Sequence, residues 1–308
     1  MNRPFHDPVL ADRVIDYLIT ETGGIYIDGT LGGGGHAERI LENLTAGAQY
    51  IGVDQDGDAL EHARKRLGPS KKLILERTNF ADIPLLLKRQ GMGPVDGLLL
   101  DLGISSFQID MPRRGFSYMQ DSPLDMRMDQ RIEQTASHIV NQYNEHELVR
   151  IFTLYGEERF AKRIARSIVL ERRKNPIYDS GRLRSIIGKA VPGRYRIKSY
   201  ARVFQALRIA VNNELEVLER TLSESLGYLK PHSRIVVIAY HSLEDRIVKQ
   251  FFKAQASPCF CPPELPKCIC GQTPKLKILT PKGIKPAQTE IRQNIRARSA
   301  ILRAAEVL

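Results

Sequence analysis

The sequence lacks an apolar run long enough to cross a bilayer, and its first residues lack the apolar core of a secretory signal. The first absence excludes a helical membrane protein, and the second predicts an intracellular, cytoplasmic one. The chain also lacks the strongly polar composition of disordered proteins. Its hydrophobic fraction of 42% is ample for a folded core, which excludes a disordered chain. The length of 308 residues predicts roughly two domains.

Acidic residues are nearly missing from residues 159–202. This segment holds fourteen Lys or Arg against Glu171 and Asp179 alone, so its formal charge is +12 while the whole chain carries +11. A charge run usually marks a solvated surface, but an excess confined to one segment favours a polyanionic partner. No amphipathic membrane helix is evident, so nucleic acid is the favoured polyanion. The candidate RNA-binding residues are Arg172, Arg173, Lys174, Arg194, Arg196, Lys198 and Arg202.

Cysteine is scarce, and the four cysteines lie together in one proline-rich segment. Two close pairs in such a segment predict a tetrahedral zinc site. A redox pair and plain surface thiols in a reducing cytosol are the alternatives. The candidate ligands are Cys259, Cys261, Cys268 and Cys270.

A glycine-rich loop follows the first predicted strand. The apolar run at 25–27 ends at Asp28, glycines fill 32–35, and a helical pattern then leads to a second apolar strand that ends at Asp54. This is the order of the first βαβ unit of a nucleotide-type site, with Asp54 positioned for ribose hydroxyls. Consecutive glycines lose conformational entropy without a packing return, so a loop that binds nothing is the least favoured interpretation.

Two cofactors compete for this loop. Gly32, Gly34 and Ala37 match the dinucleotide pattern Gly-x-Gly-x-x-Ala, so NAD is a rival. Asp28 argues against NAD, because a carboxylate at the strand end would repel a diphosphate bound at the helix N-terminus. S-adenosylmethionine has no phosphate, and its ammonium and sulfonium groups would be attracted by the same carboxylate. The sequence therefore favours S-adenosylmethionine.

The remaining pattern predicts an α/β fold: a doubly wound, Rossmann-like sheet of the S-adenosylmethionine-dependent methyltransferase type, with an inserted all-helical domain. Further apolar strands are predicted at 72–75, 95–102 and 234–240. Helical periodicity lies between the last two strands instead of a prompt return to the sheet. The expected domains are a methyltransferase domain at 1–112 and 203–308, and a basic, helical RNA-recognition domain at 113–202.

Two regions in the last third of the chain have predictions of their own. The tail arginines, such as Arg303, either contact phosphate or solvate a helix. One long amphipathic helix is predicted, with Phe204, Leu207, Val211, Leu215, Leu218 and Leu222 on one face.

Candidate functional side chains follow the predicted strands, where α/β folds bind and react. Asp101 ends the fourth strand, and Phe80 follows the third, where it could contact an adenine or belong to the core. His241 follows the last predicted strand. Ser242 next to it has an acid three residues on, Asp245, which predicts a helix N-cap with a near capping box.

Ordered blocks along nearly the whole chain resemble the 16S ribosomal RNA (cytosine-N4) methyltransferase family. The resemblance implies methyl transfer from S-adenosylmethionine to a decoding-region cytosine of 16S rRNA in the small ribosomal subunit. It also implies donor contacts at Gly34, Gly35, His36, Asp54, Phe80, Asp101 and Gln108. The blocks are DGTLGGGGH (28–36), DLGISS (101–106), RGFS (114–117), PLDMRMD (123–129), YGEER (155–159), FQALRI (204–209), HSLEDR (241–246) and RARSA (296–300).

The cytosine amine is a poor nucleophile, because its lone pair is delocalised into the ring. Attack on a sulfonium methyl needs in-line geometry and an acceptor for the amino hydrogens. The Asp/Asn/Ser-Pro-Pro-aromatic tetrapeptide of DNA amino-methyltransferases is absent, and no cysteine lies near Asp101 to serve covalent C5 methylation. The candidate catalytic residues are Asp101, with Ser105 and Ser106 nearby, and His241 and Ser242 as secondary candidates.

Two functions of other classes remain as rivals. An NAD-dependent oxidoreductase would explain the glycine loop but not the basic segment at 159–202. A non-catalytic RNA-binding module would explain the basic segment but would leave the glycine loop, Asp54 and Asp101 without a role.

Overall fold

The computed structural model describes residues 8–105, 108–109, 111–257, 259, 261, 270–271 and 273–308. The chain divides into two compact units, which we call the sheet unit (Met1–Gly103 with Leu215–Leu308) and the helical unit (Ile104–Glu214). The boundaries thus lie outside those expected at 113 and 202. The reason is packing, since the core of the helical unit also takes in Phe204, Leu207 and Val211.

The sheet unit contains a seven-stranded sheet in the order β3-β2-β1-β4-β5-β7-β6. Strands β1 to β5 are parallel, and β7 is antiparallel to both of its neighbours. The predicted α/β, Rossmann-like class is confirmed. The strands are β1 (Ile25–Asp28), β2 (Gln49–Asp54), β3 (Leu73–Arg77), β4 (Val95–Asp101), β5 (Leu229–Ala239), β6 (Leu276–Ile278) and β7 (Ile301–Val307).

Helices cover both faces of this sheet, which explains why its central strands read as continuous apolar runs. Along β4, Leu98 and Leu100 pack in one hydrophobic cluster while Leu99 packs in another. The helices of the first half are α1 (Ala11–Leu18), α2 (Gly35–Glu42), α3 (Gly57–Leu67) and α4 (Ile83–Arg89).

The helical unit has a hydrophobic core of its own, built from the inward faces of its helices. Buried Arg114 stabilises its first loop by donating to the carbonyls of Arg127 (2.9 Å) and Met128 (3.0 Å). The helices are α5 (Ala136–Gln142), α6 (Glu145–Leu154), α7 (Ala161–Arg172), α8 (Ser180–Ala190) and α9 (Arg196–Asn212).

The prediction of one long helix through Leu222 is wrong. Helix α9 ends at Asn212, Asn213 adopts a left-handed conformation (φ 50°), and α10 (Glu214–Ser225) begins at the next residue. The Asn212 side chain stabilises this ending by accepting from the Met128 amide at 2.7 Å and donating to the Met126 carbonyl at 2.8 Å. The two halves therefore contribute to different cores.

The carboxyl-terminal tail is likewise not a solvated helix at Arg303. After α11 (Ser242–Ala256) and α12 (Gln288–Gln293), the chain returns as β7 and pairs with β5. Arg303 is buried on this strand and makes two hydrogen bonds to the Asp245 carboxylate, at 2.6 and 3.0 Å. Among all residues that the structure describes, no helix is both long and apolar enough to span a membrane.

Candidate active site

Three carboxylates end neighbouring strands of the sheet. Asp28 ends β1, Asp54 ends β2 and Asp101 ends β4, and β1 lies between the other two. The connection from β1 runs to one side of the sheet, whereas β4 begins the other side, so the crevice between β1 and β4 is the switch point of the fold. Ligands of open α/β sheets bind at such a crevice.

Asp28 is buried at this crevice, with 1% of its surface exposed. The Tyr50 hydroxyl donates to Oδ2 at 2.9 Å, and the Thr30 amide donates to Oδ1 at 3.0 Å. Burial is the main influence on the carboxyl and raises its pKa to about 6, although these donors and nearby His36 oppose the shift. A cationic ligand would reverse the rise, which makes this carboxylate suited to a positively charged group.

Asp54 organises the glycine loop. Its Oδ2 accepts from the Gly32 amide and its Oδ1 from the Asp56 amide, each at 2.8 Å. Burial raises the pKa of this carboxyl to about 6 as well, against the effect of both amides. Each carboxylate oxygen has a second lone pair, so Asp54 can accept ribose hydroxyls while it holds the loop.

Gly34 turns the loop into helix α2. It is the N-cap residue and has a φ of 81°, a left-handed conformation that favours glycine. The first amides of α2 have no partners within the helix, so they can donate to a ligand. His36 lies in this first turn and is buried, and its Nε2 makes no hydrogen bond within the described part of the chain.

Asp101 contacts three residues of the sheet unit. Its amide donates to Oγ1 of Thr30, its Oδ1 accepts from the Tyr240 hydroxyl at 2.9 Å, and its Oδ2 lies 3.5 Å from Nε2 of His36. The side chain keeps 24% of its surface exposed. This carboxylate is therefore fixed in orientation while part of it stays open to a reacting group.

Tyr240 was missed by sequence reasoning. Residue 238 of β5 pairs with Asp101 of β4, so the side chain two residues further on can reach the Asp101 carboxylate. Burial and Asp101 raise the pKa of the Tyr240 hydroxyl well above its ordinary value, so it stays a neutral donor. The available signal was its place directly after a strand adjacent to β4.

His241 follows β5 as predicted, but the helix cap predicted at Ser242 lies one residue earlier. The N-cap of α11 is His241, not Ser242, and the third helical residue that completes the capping box is Glu244, not Asp245. The Glu244 carboxylate accepts from the amides of Tyr240 (2.8 Å) and His241 (3.2 Å). The imidazole Nδ1 in turn accepts from the Glu244 amide at 3.4 Å. His241 thus has a structural task that is independent of catalysis.

The remaining predicted site residues are Phe80 in the sheet unit and two residues of the helical unit. Phe80 is partly buried and packs on the sheet core, where a Cβ added at Gly29 would lie 2.9 Å from its Cβ. Ser105 and Gln108 belong to the helical unit and bond each other: the Ser105 amide donates to Oε1 of Gln108 at 3.0 Å, and the Gln108 amide donates to Oγ of Ser105 at 3.2 Å. Ser106 lies outside the described residues.

The basic residues of the helical unit fall into two groups. Arg172 is partly buried and donates to the carbonyls of Val140 and Tyr143, both at 2.7 Å, where α5 ends. It therefore stabilises the unit, whereas Arg173 and Lys174 beside it are exposed, with Lys174 paired to Glu171 at 2.8 Å.

A second group forms a surface that we call the basic ridge. The Arg159 guanidinium lies 3.7 Å from the ring centre of Tyr195, and the Arg194 guanidinium lies 4.9 Å from it, so the start of α7 and the segment before α9 are neighbours. Arg202 is only partly buried further along α9. The exposed cations of the ridge are Arg159, Lys162, Arg163, Arg166, Arg194, Arg196 and Lys198.

This sheet, with an acid at the end of β1, β2 and β4 and a glycine loop between the first two, defines a Rossmann-like protein with a nucleotide-type site. The chain belongs to the MraW methylase family, whose family model matches residues 3–308. It is therefore an enzyme, a methyltransferase that uses S-adenosylmethionine. This excludes NAD as the cofactor of the glycine loop.

Curated relatives match along nearly their full length. The chain is 50% identical over 306 residues to the ribosomal RNA small subunit methyltransferase H of Carboxydothermus hydrogenoformans, with 98% of each chain covered. It is 48% identical over 304 residues to the protein of the same name from Halothermothrix orenii, again with 98% of each covered. The Geobacter sulfurreducens protein of that name is 50% identical over 311 residues, with 98% of this chain and 99% of the relative covered.

Proposed function

We propose that this chain methylates the exocyclic N4 of a cytidine in the decoding region of 16S rRNA, in the small ribosomal subunit. The names of the relatives support a small-subunit rRNA substrate. The motif blocks of the sequence support the cytosine amine as the acceptor. The observation that carries the proposal is the fixed, partly open carboxylate of Asp101 at the switch point of the sheet.

The residues around the glycine loop fit S-adenosylmethionine. Asp54 would accept the ribose hydroxyls, while Asp28 supplies negative charge for the ammonium and sulfonium groups. His36 has a buried nitrogen without a hydrogen bond in the described part of the chain, and Gly34 lets the backbone approach closely. When bound, the donor supplies an electrophilic methyl group on sulfur.

Asp101 is suited to the amine of the acceptor base. A carboxylate that accepts an amino hydrogen shifts electron density to the nitrogen and lets the lone pair leave conjugation with the ring. Tyr240 fixes the carboxylate and Thr30 fixes the backbone amide of Asp101, so no reorganisation of Asp101 is needed during attack. The base itself would have to be splayed out of its RNA context to reach the carboxylate.

The basic ridge is suited to the RNA backbone. Its cations come from two segments, and Tyr195 holds two of the guanidiniums in place. Lys162, Arg163 and Arg166 on α7 are exposed, and Arg166 lies four residues after Lys162 and three after Arg163, so it neighbours both on the helix surface. Such a row can contact successive phosphates. Because Arg172 bonds carbonyls of the protein itself, we no longer include it among the residues proposed to bind RNA, whereas Arg173, Lys174 and Arg202 remain in that group.

The decisive experiment is methylation of purified small subunits and of naked 16S rRNA from cells that lack this protein. Donor with an isotopically labelled methyl group is added, and the RNA is digested to nucleosides and analysed by mass spectrometry. We expect labelled N4-methylcytidine, more of it from subunits than from naked RNA, and none with Asp101→Ala. Label in another nucleoside would overturn the cytosine-N4 assignment, and labelled N4-methylcytidine with Asp101→Ala would remove Asp101 from the mechanism.

A further inference from the structure

Three of the four cysteines converge in the connection between α11 and β6. Their sulfur atoms all lie within 4.8 Å of one another, and Sγ of Cys270 is 3.7 Å from Sγ of Cys259. Cys261 is the third member. The fourth cysteine, Cys268, lies outside the described residues. We propose that the thiolates of Cys259, Cys261 and Cys270 bind one zinc ion, a site that is independent of the methyl-transfer chemistry.

The sulfur spacing fits metal ligation. Zinc–thiolate bonds are about 2.3 Å long, so two ligands at the corners of a tetrahedron lie about 3.8 Å apart. The 3.7 Å between Cys259 and Cys270 matches this edge, whereas a disulfide would need about 2.05 Å. Three thiolates select soft or borderline ions, among which zinc prefers tetrahedral sites of this kind.

The surroundings of Cys259 suit a metal ligand. The amide of Cys261 donates to Sγ of Cys259 at 3.2 Å, and a hydrogen bond of this kind orients a sulfur ligand. The Ser257 hydroxyl donates to the carbonyl of Cys259 at 2.8 Å, which fixes the backbone at the first ligand. The Cys-x-Cys spacing thus has the local geometry of a ligand pair.

The position of the cluster explains what the ion would do. At the two ends of the connection, the Lys275 amide donates to the Gln255 carbonyl at 2.8 Å, so the connection is a closed loop that starts and ends at one place. The Lys275 carbonyl accepts from the Leu308 amide at 3.0 Å, which ties the same point to the end of β7. Ligands from both sides of the loop would cross-link it and stabilise the short edge strand β6.

The test measures metal in the full-length protein purified under reducing conditions without chelator. We expect close to one zinc per chain by elemental analysis. Cys259→Ser, Cys261→Ser and Cys270→Ser should each lower zinc retention at least tenfold in competition with a chromogenic chelator. Ser223→Ala, at an exposed serine of α10 in the same unit, leaves all three sulfurs and Ser257 in place, so it is the control and should retain zinc. Cobalt replacement should give the strong near-ultraviolet absorption of cobalt–thiolate bonds.

Several results would overturn the proposal. Protein without metal would do so, as would an iron–sulfur chromophore or zinc that all three serine variants retain. A mass two daltons below the reduced chain, with two thiols unreactive to a thiol reagent, would show a disulfide instead. If a serine variant fails to fold, metal content and cobalt spectra of the unaltered protein still decide. Because the readout is metal, a failure here leaves the proposed methylation untouched.

Discussion

The Tyr240 hydroxyl donates a hydrogen bond of 2.9 Å to Oδ1 of Asp101 and so joins the ends of two adjacent parallel strands. Strand β4 brings the carboxylate, and the residue after β5 brings its donor. Since the pKa of Tyr240 lies well above its ordinary value, the donor keeps its proton throughout the physiological range. The carboxylate thereby has one oxygen fixed by a neutral partner of the sheet unit itself.

Tyr240→Phe should therefore slow methyl transfer. Loss of one hydrogen bond to a charged group costs about 1.5–3 kcal/mol, so we expect kcat to fall roughly 10- to 150-fold. Donor affinity, measured by calorimetry, should change by less than about threefold, because the ring remains and Asp28 and Asp54 are untouched. Single-turnover methylation of small subunits measures the rate.

The matched control is Tyr228→Phe. Tyr228 is also buried in the sheet unit, but its hydroxyl makes no hydrogen bond within the described part of the chain. Its removal should leave the rate and the thermal midpoint essentially unchanged. Equal rates for the Tyr240 variant and this control would show that Asp101 needs no such support.

Donor affinity should depend on pH through Asp28 and Asp54. Each has a pKa raised to about 6, and a cationic, hydroxyl-bearing ligand binds the ionised forms. Affinity should therefore be constant above pH 7 and fall below about pH 6, by as much as about tenfold per pH unit for each proton involved. Calorimetry from pH 5 to 8 measures it. Asp28→Asn should bind more weakly and show a shallower pH dependence, and a flat profile for the unaltered protein would contradict the prediction.

The same shifts affect the stability of the donor-free protein in the opposite direction to an ordinary salt bridge. A carboxyl whose pKa is higher in the folded than in the unfolded chain binds its proton more tightly when folded. Its contribution to the free energy of unfolding is largest below pH 3.8, the ordinary pKa of an aspartate, and decreases as the pH rises to about 6. Saturating donor should cancel this decrease, which denaturant titrations with and without donor can measure.

Asp54→Ala should weaken donor binding by about 1–3 kcal/mol, or roughly 5- to 150-fold in Kd, since ribose hydroxyls lose a buried acceptor. It should also lower the thermal midpoint, because the amides of Gly32 and Asp56 lose their acceptor. Asp54→Asn keeps one acceptor oxygen, so its Kd and thermal midpoint should lie between those of Asp54→Ala and the unaltered protein. Asp16→Ala, at an exposed carboxylate of the same unit, is the control, and an unchanged Kd for Asp54→Ala would remove Asp54 from the donor site.

How far the sequence could predict this molecule depends on whether local pattern or distant packing decides each element. Apolar runs that end in Asp28, Asp54 and Asp101 carry their own boundaries, because parallel strands are buried on both faces. Strand β7 could not be predicted in this way, since its arginine at 303 is buried only through a carboxylate on α11, 58 residues away in the chain.

The prediction of a continuous helix through residue 213 was wrong for a related reason. Its apolar periodicity is continuous, yet Phe204 and Leu218 belong to different cores, and the break is set by what Asn212 contacts. Charge counts likewise cannot distinguish Arg172, which donates hydrogen bonds to carbonyls at the end of α5, from Arg173, which is exposed. Side-chain function within a charge run is decided by tertiary neighbours.

Arg172→Ala should lower the free energy of unfolding by about 1–3 kcal/mol, since the carbonyls of Val140 and Tyr143 lose their charged donor. Arg173→Ala, one residue on and exposed, should change it by less than about 0.5 kcal/mol. Urea titrations of both variants measure the difference. If the two variants are equally stable, the carbonyl contacts of Arg172 contribute nothing to the fold.

Arg163→Glu combined with Arg166→Glu should impair RNA methylation while leaving donor affinity intact. Both side chains are exposed on α7, and each lost phosphate contact should reduce the salt dependence of RNA binding by about 0.7 in the slope of log K against log salt.

The control reverses the charges of Lys249 and Lys253, an exposed pair with four-residue spacing on α11, and should leave RNA methylation and donor affinity as they are. Binding to small subunits and single-turnover rates, each across a salt series, give the two readouts. A ridge variant that binds and methylates like the control at every salt concentration would show that the basic ridge is a solvated surface, and the RNA site would then have to lie elsewhere on the chain.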